Sequence, residues 1–351
     1  MGADPEFFFA VKGKTIGAEK VLPKEGLNTP FGGGKIIIDG IQAELNPDAS
    51  HCRAYVGNNI RECFKQVYKQ LQKYPNVTVD FGQAVAITTE EMRSLDPSSK
   101  QFGCTPSKNA YTNKSGVKIK NAARYYKRTA GGHIHLGHNK IPSVMKVMEN
   151  PRRVAQMLDI IAGNTFVLLD RDPGNIERRK NYGKAGEFRT PAHGFEYRTP
   201  SNFWLRSYPL AAFALGMARF AINILASSTE QNDFEKEIRS KVDMRKIRKA
   251  INTNDFDLAY ENFKKIEPTL MAIVPTSTRG KFYDKGEYNN YDYPLTPDTI
   301  NEFHYVIKTG INHWFKENPL DHWRNLNEGH EGGWEDFLME KVRKEMKANK
   351  K

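Results

Sequence analysis

The sequence has little cysteine: only Cys52, Cys63 and Cys104 occur among its 351 residues. Their number is odd and their spacing is wide, so they form neither a CxxC metal-binding motif nor a framework of disulfides. A structural zinc ion held by thiolates is therefore not expected. The same scarcity is typical of proteins in a reducing compartment, and we expect this protein to be cytoplasmic.

Long hydrophobic runs are also missing. The longest apolar stretch, PLAAFALGMARFAINIL at 209–225, contains Arg219 and is shorter than the ~20 residues that cross a bilayer. The first residues, MGADPEFFFAVKGK, lack the basic segment followed by an apolar one that marks a signal peptide. We therefore predict a buried helix over 209–225 and no membrane partner.

Acidic residues are outnumbered by basic ones, 41 against 53, which leaves a formal net charge of +12. Such a balance attracts nucleic acids, nucleotides or acidic substrates, although a spread of solvated lysines gives the same sum. Hydrophobic residues make up 39% of the chain and aromatic residues 11%. These fractions are typical of a folded globular protein with one large domain or two smaller ones.

The hydrophobic pattern predicts strands at EFFFAVKGK, GKIIIDGIQAELN, VTVDFGQAVAI and FEYRTP, with a helix over 50–74 between the second and the third. A second helix is expected over 142–169, and long polar loops over 95–128 and 171–194. From 228 onward the pattern is one of charged helices. We therefore predict an α+β fold with a catalytic core over 1–227 and a mainly helical region over 228–351 that can pack on it.

Polar side chains recur at a spacing of two residues in four extended segments. The sets are Asp4 with Glu6, Gln42 with Glu44 and Asn46, His133 with His135 in GGHIHLG, and Glu196 with Arg198. Side chains two apart in a strand lie on the same face. We therefore expect four strands to direct these groups at one face of a sheet. Each set alone also fits a solvated edge or a charge pair, and the case depends on their coincidence.

Buried together, these carboxylates would repel one another unless cations compensate. Ligands that are mostly oxygen favour Mg²⁺ or Mn²⁺, and Mg²⁺ held by a few carboxylates usually serves the phosphates of a nucleotide. Basic side chains that can neutralise a transferring phosphoryl group follow in the sequence. They are Arg178, Arg179, Lys184, Arg189 and Arg198.

A family resemblance adds to this reading. GADPEFFF, DGIQAELN, FGCTP, RTAGGHIHLG and RRKNYGKAGEFRTPAHGFEYRTPSNFW, in this order, resemble the phage-type carboxylate–amine (COOH-NH2) ligases of the glutamine synthetase and glutamate–cysteine ligase superfamily. The resemblance covers 2–204. It implies a glutamine synthetase-like catalytic domain, in which helices flank a curved antiparallel sheet. It further implies that the inner face of this sheet binds ATP with two or three divalent metal ions.

The resemblance also assigns roles to particular residues. It implies metal ligands at Asp4, Glu6, Glu44, His133 and Glu196. It implies catalytic roles near the phosphoryl group or the substrate for His135, Arg189 and Arg198. It implies ATP contacts for Arg128, Arg179, Tyr182, Lys184 and Arg189. Two positions depart from the pattern: Asp4 is shorter than the usual glutamate, and Thr105 replaces an expected acid.

The implied reaction transfers the γ-phosphoryl group of ATP to a substrate carboxylate, and an amine then attacks the acyl phosphate to form an amide. The carboxylate could belong to an amino acid, a peptide, a cell-wall fragment or a nucleic acid. An oligomer is possible, and the cytoplasm of a bacterial host is the expected location if the gene is carried by a phage.

Two other functions explain part of the pattern. A metal-dependent hydrolase would use His133, His135 and the carboxylates to activate water, but it gives the basic residues of 178–189 no role. A non-catalytic nucleic-acid-binding protein would use the net charge and the runs KVDMRKIRKAI and KVRKEMKANKK. Binding alone does not explain the paired acids and histidines.

Overall fold

The structure, a computed structural model, describes residues 1–30, 32–97, 99–100, 107–112, 126–138, 140–228, 233–274, 293–316, 318–324 and 333–350. Its strands, all paired antiparallel, are β1 (Gly2–Ala3), β2 (Glu6–Val11), β3 (Lys14–Ile16), β4 (Leu27–Asn28), β5 (Gly34–Asp39), β6 (Gln42–Pro47), β7 (Val77–Asp80), β8 (Ala84–Ala86), β9 (Lys108–Asn109), β10 (Lys127–Thr129), β11 (Ile134–Gly137), β12 (Glu187–Arg189) and β13 (Gly194–Tyr197).

The helices include several long apolar ones and a group of charged ones near the C-terminus. They are α1 (Arg53–Leu71), α2 (Thr89–Ser94), α3 (Pro142–Met148), α4 (Pro151–Leu158), α5 (Asn164–Leu169), α6 (Gly174–Asn181), α7 (Tyr208–Ser227), α8 (Phe234–Lys241), α9 (Met244–Thr253), α10 (Phe256–Ile273), α11 (Ile300–Thr309), α12 (Ile311–Trp314), α13 (Pro319–Arg324), α14 (Trp334–Phe337) and α15 (Arg343–Ala348). The α+β prediction is confirmed; its glutamine synthetase-like detail stays a prediction.

Two sheets meet at the N-terminal segment. The first sheet has the order β3-β2-β6-β5-β4, with β7 also paired to β2, and the second has the order β1-β11-β13-β12-β9. The chain passes from the second sheet to the first at Pro5, whose missing N–H is tolerated where strand pairing changes. The expected single sheet is therefore corrected to two. The four predicted polar segments still converge, because Asp4 and Glu6 lie at the crossing.

Strand β2 is buried on both faces, which explains its run of three phenylalanines. Phe7 and Phe9 face the main core, where the ring of Phe7 lies 5.8 Å from that of Phe64 on α1. Phe8 faces the other way, into a smaller cluster with Ile41 and five further apolar residues. Glu6 lies on the same face of β2 as Phe8, so its carboxylate is held next to this smaller apolar cluster.

The apolar helix expected over 209–225 is confirmed as α7. In the part of the chain that the structure describes, it is the helix long and apolar enough to cross a membrane, yet 78% of its apolar window is buried inside the protein. Arg219 lies at its edge and donates to the carbonyl of His51 at 2.7 Å. The helix therefore packs as the centre of the core, against helices on several sides.

Several predicted boundaries are corrected. The helix expected over 142–169 is interrupted before Pro151, whose ring cannot continue a helix, and Asn150 caps the new start by accepting from the N–H of Arg153. After this break, α4 and α5 are joined by a π-helical turn, Asp159–Gly163. The stretch GKIIIDGIQAELN is a hairpin of β5 and β6, and VTVDFGQAVAI is divided between β7 and β8.

The loop predicted over 171–194 was wrong in part, because it contains α6 and β12. No apolar stripe marks α6, and its buried residues are Asn175, Arg178 and Arg179. Buried hydrogen bonds stabilise this helix, so hydrophobic periodicity could not reveal it. Of the loop predicted over 95–128, the described parts include β9 and β10. The FGCTP motif with Thr105 lies outside the described residues.

The residues after 228 that the structure describes are mainly helical, and they pack on the core. The indole of Trp323 donates to the carbonyl of Leu205 at 2.6 Å, and the ring of Trp334 lies 4.5 Å from that of Phe213 on α7. Glu335 forms a 2.6 Å ion pair with Arg53 at the start of α1. The division into a core over 1–227 and a second region over 228–351 stays a prediction.

Candidate active site

Asp4 and two histidines form the centre of the polar cluster. The Asp4 Oδ1 atom lies 3.1 Å from Nδ1 of His133 and 3.3 Å from Nε2 of His135. The backbone explains this convergence, since Gly2 pairs with His135 and the N–H of Asp4 donates to the carbonyl of His133. The predicted meeting of the acid pair with the histidine pair is therefore present.

Glu196 completes this side of the cluster. It pairs with His135 between β13 and β11, which places its Oε1 atom 3.6 Å from Nδ1 of His133. Ligand atoms of Asp4, His135 and Glu196 all lie within 4.8 Å of one another. We call these three residues the histidine group. One oxygen from each carboxylate and one ring nitrogen could bind a single cation there.

A second group of three carboxylates lies on the first sheet. Glu6 pairs directly with Glu44 between β2 and β6, and Asp39 stands at the end of β5. Oxygen atoms of the three residues lie within 4.8 Å of one another. We call them the carboxylate group. Its donors are all oxygen, the chemistry that Mg²⁺ prefers.

Hydrogen bonds fix the carboxylate group in place. Gln42 Nε2 donates to Glu6 Oε2 at 2.9 Å, and the N–H of Gly131 donates to the same oxygen at 2.6 Å. Asn46 Nδ2 donates to Glu44 Oε1 at 2.8 Å. The polar row Gln42, Glu44 and Asn46 therefore does face one way, as its parity predicts.

The acids of both groups have perturbed pKa values. Burial raises the pKa of Glu44 to about 9, with Asp4 and Glu6 adding to the effect. Burial, with Asp39, raises the pKa of Glu6 to about 7, and burial, with Asp4, raises that of Glu196 to about 7. The pKa of Asp39 is also raised, by burial and by Asp4. Without added positive charge, these carboxyl groups cannot all ionise at neutral pH.

Asp4 favours the charged form of both histidines, but their pKa values shift in opposite directions. Burial lowers the pKa of His133 to about 4, and the Arg198 charge acts in the same direction. Burial also disfavours a charged His135, but its contact with Asp4 outweighs this effect and raises its pKa. The same two histidines hold the pKa of Asp4 well below its usual range despite burial. His133 is therefore a neutral imidazole near pH 7, the form that can bind a metal ion.

Several buried polar atoms of the histidine group and of the adjacent His133 lack a hydrogen-bond partner among the described residues. They are Asp4 Oδ1, both ring nitrogens of His133, His135 Nε2 and Glu196 Oε1. Their mutual contacts are short, but none has the direction of a hydrogen bond. Buried polar atoms without partners are costly, and a cation bound to the two carboxylate oxygens and to one nitrogen of an imidazole ring would satisfy several of them. The residues therefore fit the divalent ions that the family resemblance implies.

Two arginines flank Glu196. Arg198 Nε lies 3.3 Å from Glu196 Oε1, and Arg189 Nη1 lies 3.5 Å from Glu196 Oε2. Arg198 is almost fully buried, whereas 27% of the Arg189 side chain is exposed. Arg189 pairs with Glu196 between β12 and β13, so it belongs to the second sheet. Arg198 itself follows β13 directly, and both arginines bring positive charge to the edge of the histidine group.

Tyr182 connects the arginines with the carboxylate group. Its hydroxyl lies 3.2 Å from Glu6 Oε2, to which it donates, and its ring lies under the guanidinium of Arg178 at 4.5 Å. Arg178 itself donates to the carbonyls of Arg198, Thr199 and Pro200. Because these bonds use its Nη atoms, Arg178 supports the segment after β13, and the phosphate role suggested by its charge stays a prediction.

The remaining predicted nucleotide contacts are less close to the two groups. Arg179 is buried and donates to Asn254 Oδ1 at 2.9 Å and to the carbonyl of Gly183. Arg128 is buried on β10, where its Nη1 atom donates to the carbonyl of Lys127. Lys184 is half-buried, and its carbonyl accepts from Thr199 Oγ1 at 3.0 Å. Their ATP-binding roles stay predictions.

Sequence reasoning missed two residues of this site. Asp39 belongs to the carboxylate group, and the signal was its position opposite Gln42 across the tight turn at Gly40. His193 lies beside His135, with 3.0 Å between His193 Nε2 and His135 Nδ1. No periodic signal identifies His193, because it precedes β13 and has the wrong parity relative to Glu196.

The comparisons with known proteins identify a family for the chain. A family model described as Phage phiEco32-like COOH.NH2 ligase-type 2 matches residues 107–282, half of the chain. The chain belongs to this family. The name indicates that the ligase joins a carboxylate to an amine. Comparisons with curated proteins and with solved structures each found no match.

The family match confirms the predicted resemblance and covers β9, β11, β12 and β13 of the second sheet. The matched range includes His133, His135, Tyr182, Glu196 and Arg198, whose roles stay predictions. Asp4, Glu6, Asp39 and Glu44 precede the matched range, so their place in the site depends on the geometry given above.

Proposed function

We propose that this ligase is ATP-dependent and activates a substrate carboxylate as an acyl phosphate before an amine displaces phosphate to form the amide. The observation that carries the proposal is the pair of ligand groups on either side of Pro5, with two arginines beside Glu196. Phosphoryl transfer needs concentrated positive charge at a fixed place, and this arrangement can provide it.

The divalent ions in the proposal are Mg²⁺ or Mn²⁺. Asp4, His135 and Glu196, with His133 beside them, would hold one ion, and Glu6, Asp39 and Glu44 would hold another. Bound ions would supply the positive charge that stabilises phosphate oxygens during transfer. The carboxylates would then be ionised, because the added charge offsets their mutual repulsion.

The arginines would act on the reacting groups directly. The guanidinium of Arg198 is held beside Glu196 with little solvent around it, and a buried charge of this kind acts strongly on a neighbouring anion. Arg189 is more exposed and would contact an incoming phosphate or substrate carboxylate. Tyr182, whose hydroxyl lies 3.2 Å from Glu6 Oε2, would position the nucleotide, and Lys184, Arg128 and Arg179 would bind it.

The substrates are a carboxylate and an amine, and the net charge of +12 favours an acidic molecule such as a peptide, a cell-wall fragment or a nucleic acid. We also propose a cytoplasmic location and no membrane partner. Assembly into an oligomer is compatible with both proposals. These proposals are supported by composition, the low cysteine content and the burial of α7.

The test incubates purified protein with ATP, Mg²⁺ or Mn²⁺, and pools of carboxylates and amines, and follows ADP, phosphate and new amides by mass spectrometry. The expected result is ADP formation and an amide product that need both pools. Glu6→Gln or His133→Ala should abolish ATP consumption. Glu25→Gln, which alters an exposed glutamate, is the matched control and should retain it.

Other outcomes discriminate the rival functions. Cleavage of a pool member without ATP consumption would indicate a metal-dependent hydrolase. Tight binding of nucleic acid with no turnover of any pool would indicate a binding protein. Full turnover by Glu6→Gln or His133→Ala would contradict the assignment of the site.

A further inference from the structure

His193 has a contact that the proposed reaction does not yet use. Its Nε2 atom lies 3.0 Å from Nδ1 of His135, and the two rings are tilted by 34° with their centroids 5.1 Å apart. The opposite nitrogen of His135, Nε2, faces Asp4 at 3.3 Å. His135 is therefore held between Asp4 on one side and His193 on the other.

The backbone is shaped to bring His193 to this position. Gly194 shares the face of Glu196, so a regular strand would direct His193 to the opposite face. Gly194 instead has φ +143°, a conformation that L-residues rarely adopt, and its N–H donates to the carbonyl of Pro191 in a turn. A Cβ at Gly194 would lie 2.4 Å from the carbonyl oxygen of Leu136. The turn before β13 therefore directs the side chain of His193 towards His135 of the histidine group.

The 3.0 Å contact requires one nitrogen to donate and the other to accept. A neutral His135 carries one proton, on Nδ1 or on Nε2. When that proton is on Nδ1, it is donated to His193 Nε2, and the lone pair of His135 Nε2 is directed at Asp4 and the histidine group. Histidine ligands of metal ions commonly donate their second ring N–H to a fixed acceptor, which sets both tautomer and ring orientation.

We propose that His193 is the positioning residue that accepts the Nδ1–H of His135 and so presents His135 Nε2 as a metal ligand in the histidine group. This inference rests on the proposed function, because it requires the histidine group to bind a divalent ion. It does not require His193 to contact the ion, ATP or the substrates. The carboxylate group lies on the first sheet and is independent of His193.

The test measures Mn²⁺ binding to the full chain by electron paramagnetic resonance of the free ion, without substrates. Wild type should bind two Mn²⁺ ions. His193→Ala should weaken one of the two binding steps about tenfold or more and leave the other unchanged. His193→Gln, whose amide oxygen can accept in place of Nε2, should restore most of that affinity. His138→Ala removes a histidine just past β11, whose ring instead contacts the N–H of Lys140, and should bind as wild type does.

The outcomes separate this inference from the proposed function. Two unchanged binding steps in His193→Ala would overturn the positioning role and leave the metal centre intact. Equal weakening in His193→Ala and His193→Gln would also overturn it, because an acceptor would then not suffice. A wild type that binds no Mn²⁺ would contradict both proposals. Thermal unfolding of each variant verifies that the fold is kept.

Discussion

Replacing Glu44 by glutamine should stabilise the metal-free protein and weaken its response to metal ions. In the metal-free fold, burial and the charges of Asp4 and Glu6 raise the pKa of Glu44 from an ordinary 4.5 to about 9. A glutamine has nearly the shape of the protonated carboxyl group, and its oxygen can still accept from Asn46. The substitution therefore removes an unfavourable ionisation at little cost in packing.

The sign of the pH dependence follows from the direction of the shift. The folded-state pKa of Glu44 is raised, so its protonated carboxyl group contributes to the free energy of unfolding. This contribution is fully present below pH 4.5 and is lost as the pH rises to about 9. At pH 7.5 the loss amounts to at most about 4 kcal/mol, since each pH unit above 4.5 costs about 1.4 kcal/mol. Metal-free Glu44→Gln should therefore gain stability over wild type between pH 4.5 and 9, and the two should converge near pH 4.5.

The expected shifts in melting temperature are measurable. An unfolding entropy of about 2 cal/mol/K per residue makes 4 kcal/mol equivalent to about 5 °C for a chain of this length. An ion at a hundred times its dissociation constant stabilises by about 2.7 kcal/mol, or about 4 °C for each site. Saturating Mn²⁺ should thus raise the melting temperature of wild type by about 7 °C, and that of Glu44→Gln by about 4 °C, because only the histidine group is intact.

The assay is differential scanning fluorimetry from pH 4.5 to 9, with EDTA or with Mn²⁺. Glu25→Gln, an exposed substitution, is the control and should follow wild type under every condition. The reasoning is refuted if metal-free Glu44→Gln melts at or below the wild-type temperature at pH 7.5. It is equally refuted if Mn²⁺ stabilises both proteins to the same extent.

Three further predictions test other parts of the account. Arg198→Ala should lower kcat about a hundredfold or more while ATP affinity changes by less than threefold, as measured by steady-state kinetics and equilibrium binding; equal losses would contradict a role in the chemical step. Asn254 adopts φ +52° and its side chain bonds both Arg179 and the carbonyl of Asp170. Asn254→Ala should therefore lower the free energy of unfolding by about 2 kcal/mol in denaturant unfolding, and Asn254→Gly should lower it by less. A larger loss for Asn254→Gly than for Asn254→Ala would exclude backbone strain. Trp323→Ala should cost about 3–5 kcal/mol by the same measurement, because its ring is fully buried between α1 and α7, and a cost under 1 kcal/mol would show that α13 contributes little to the core.

The parity of polar residues was the most reliable guide to the site. Side chains two residues apart in an extended segment lie on the same face, whichever strands pair with that segment. Asp4, Glu6, Glu44 and Glu196 could therefore be placed together from the sequence. Parity does not tell which strands share a sheet, because that depends on the long-range pairing of β1 with β11 and β2 with β6. One sheet was therefore expected where two meet.

The parts that sequence reasoning missed depend on tertiary contacts. The helix α6 is stabilised by buried hydrogen bonds such as those of Arg178 and Asn175 rather than by an apolar stripe, so no hydrophobic period marks it. His193 reaches the cluster only through the unusual backbone of Gly194. Asp39 was recognisable in principle, since a tight turn at Gly40 places it opposite Gln42.

The central claim is that ATP activates a carboxylate as an acyl phosphate at the two ligand groups. Its most direct test uses a carboxylate pool labelled with ¹⁸O in unlabelled water, together with ATP, Mg²⁺ and the amine pool. The account predicts that each amide formed is accompanied by phosphate carrying one ¹⁸O atom, seen in the ³¹P spectrum or by mass spectrometry. Amide formation with unlabelled phosphate would contradict it.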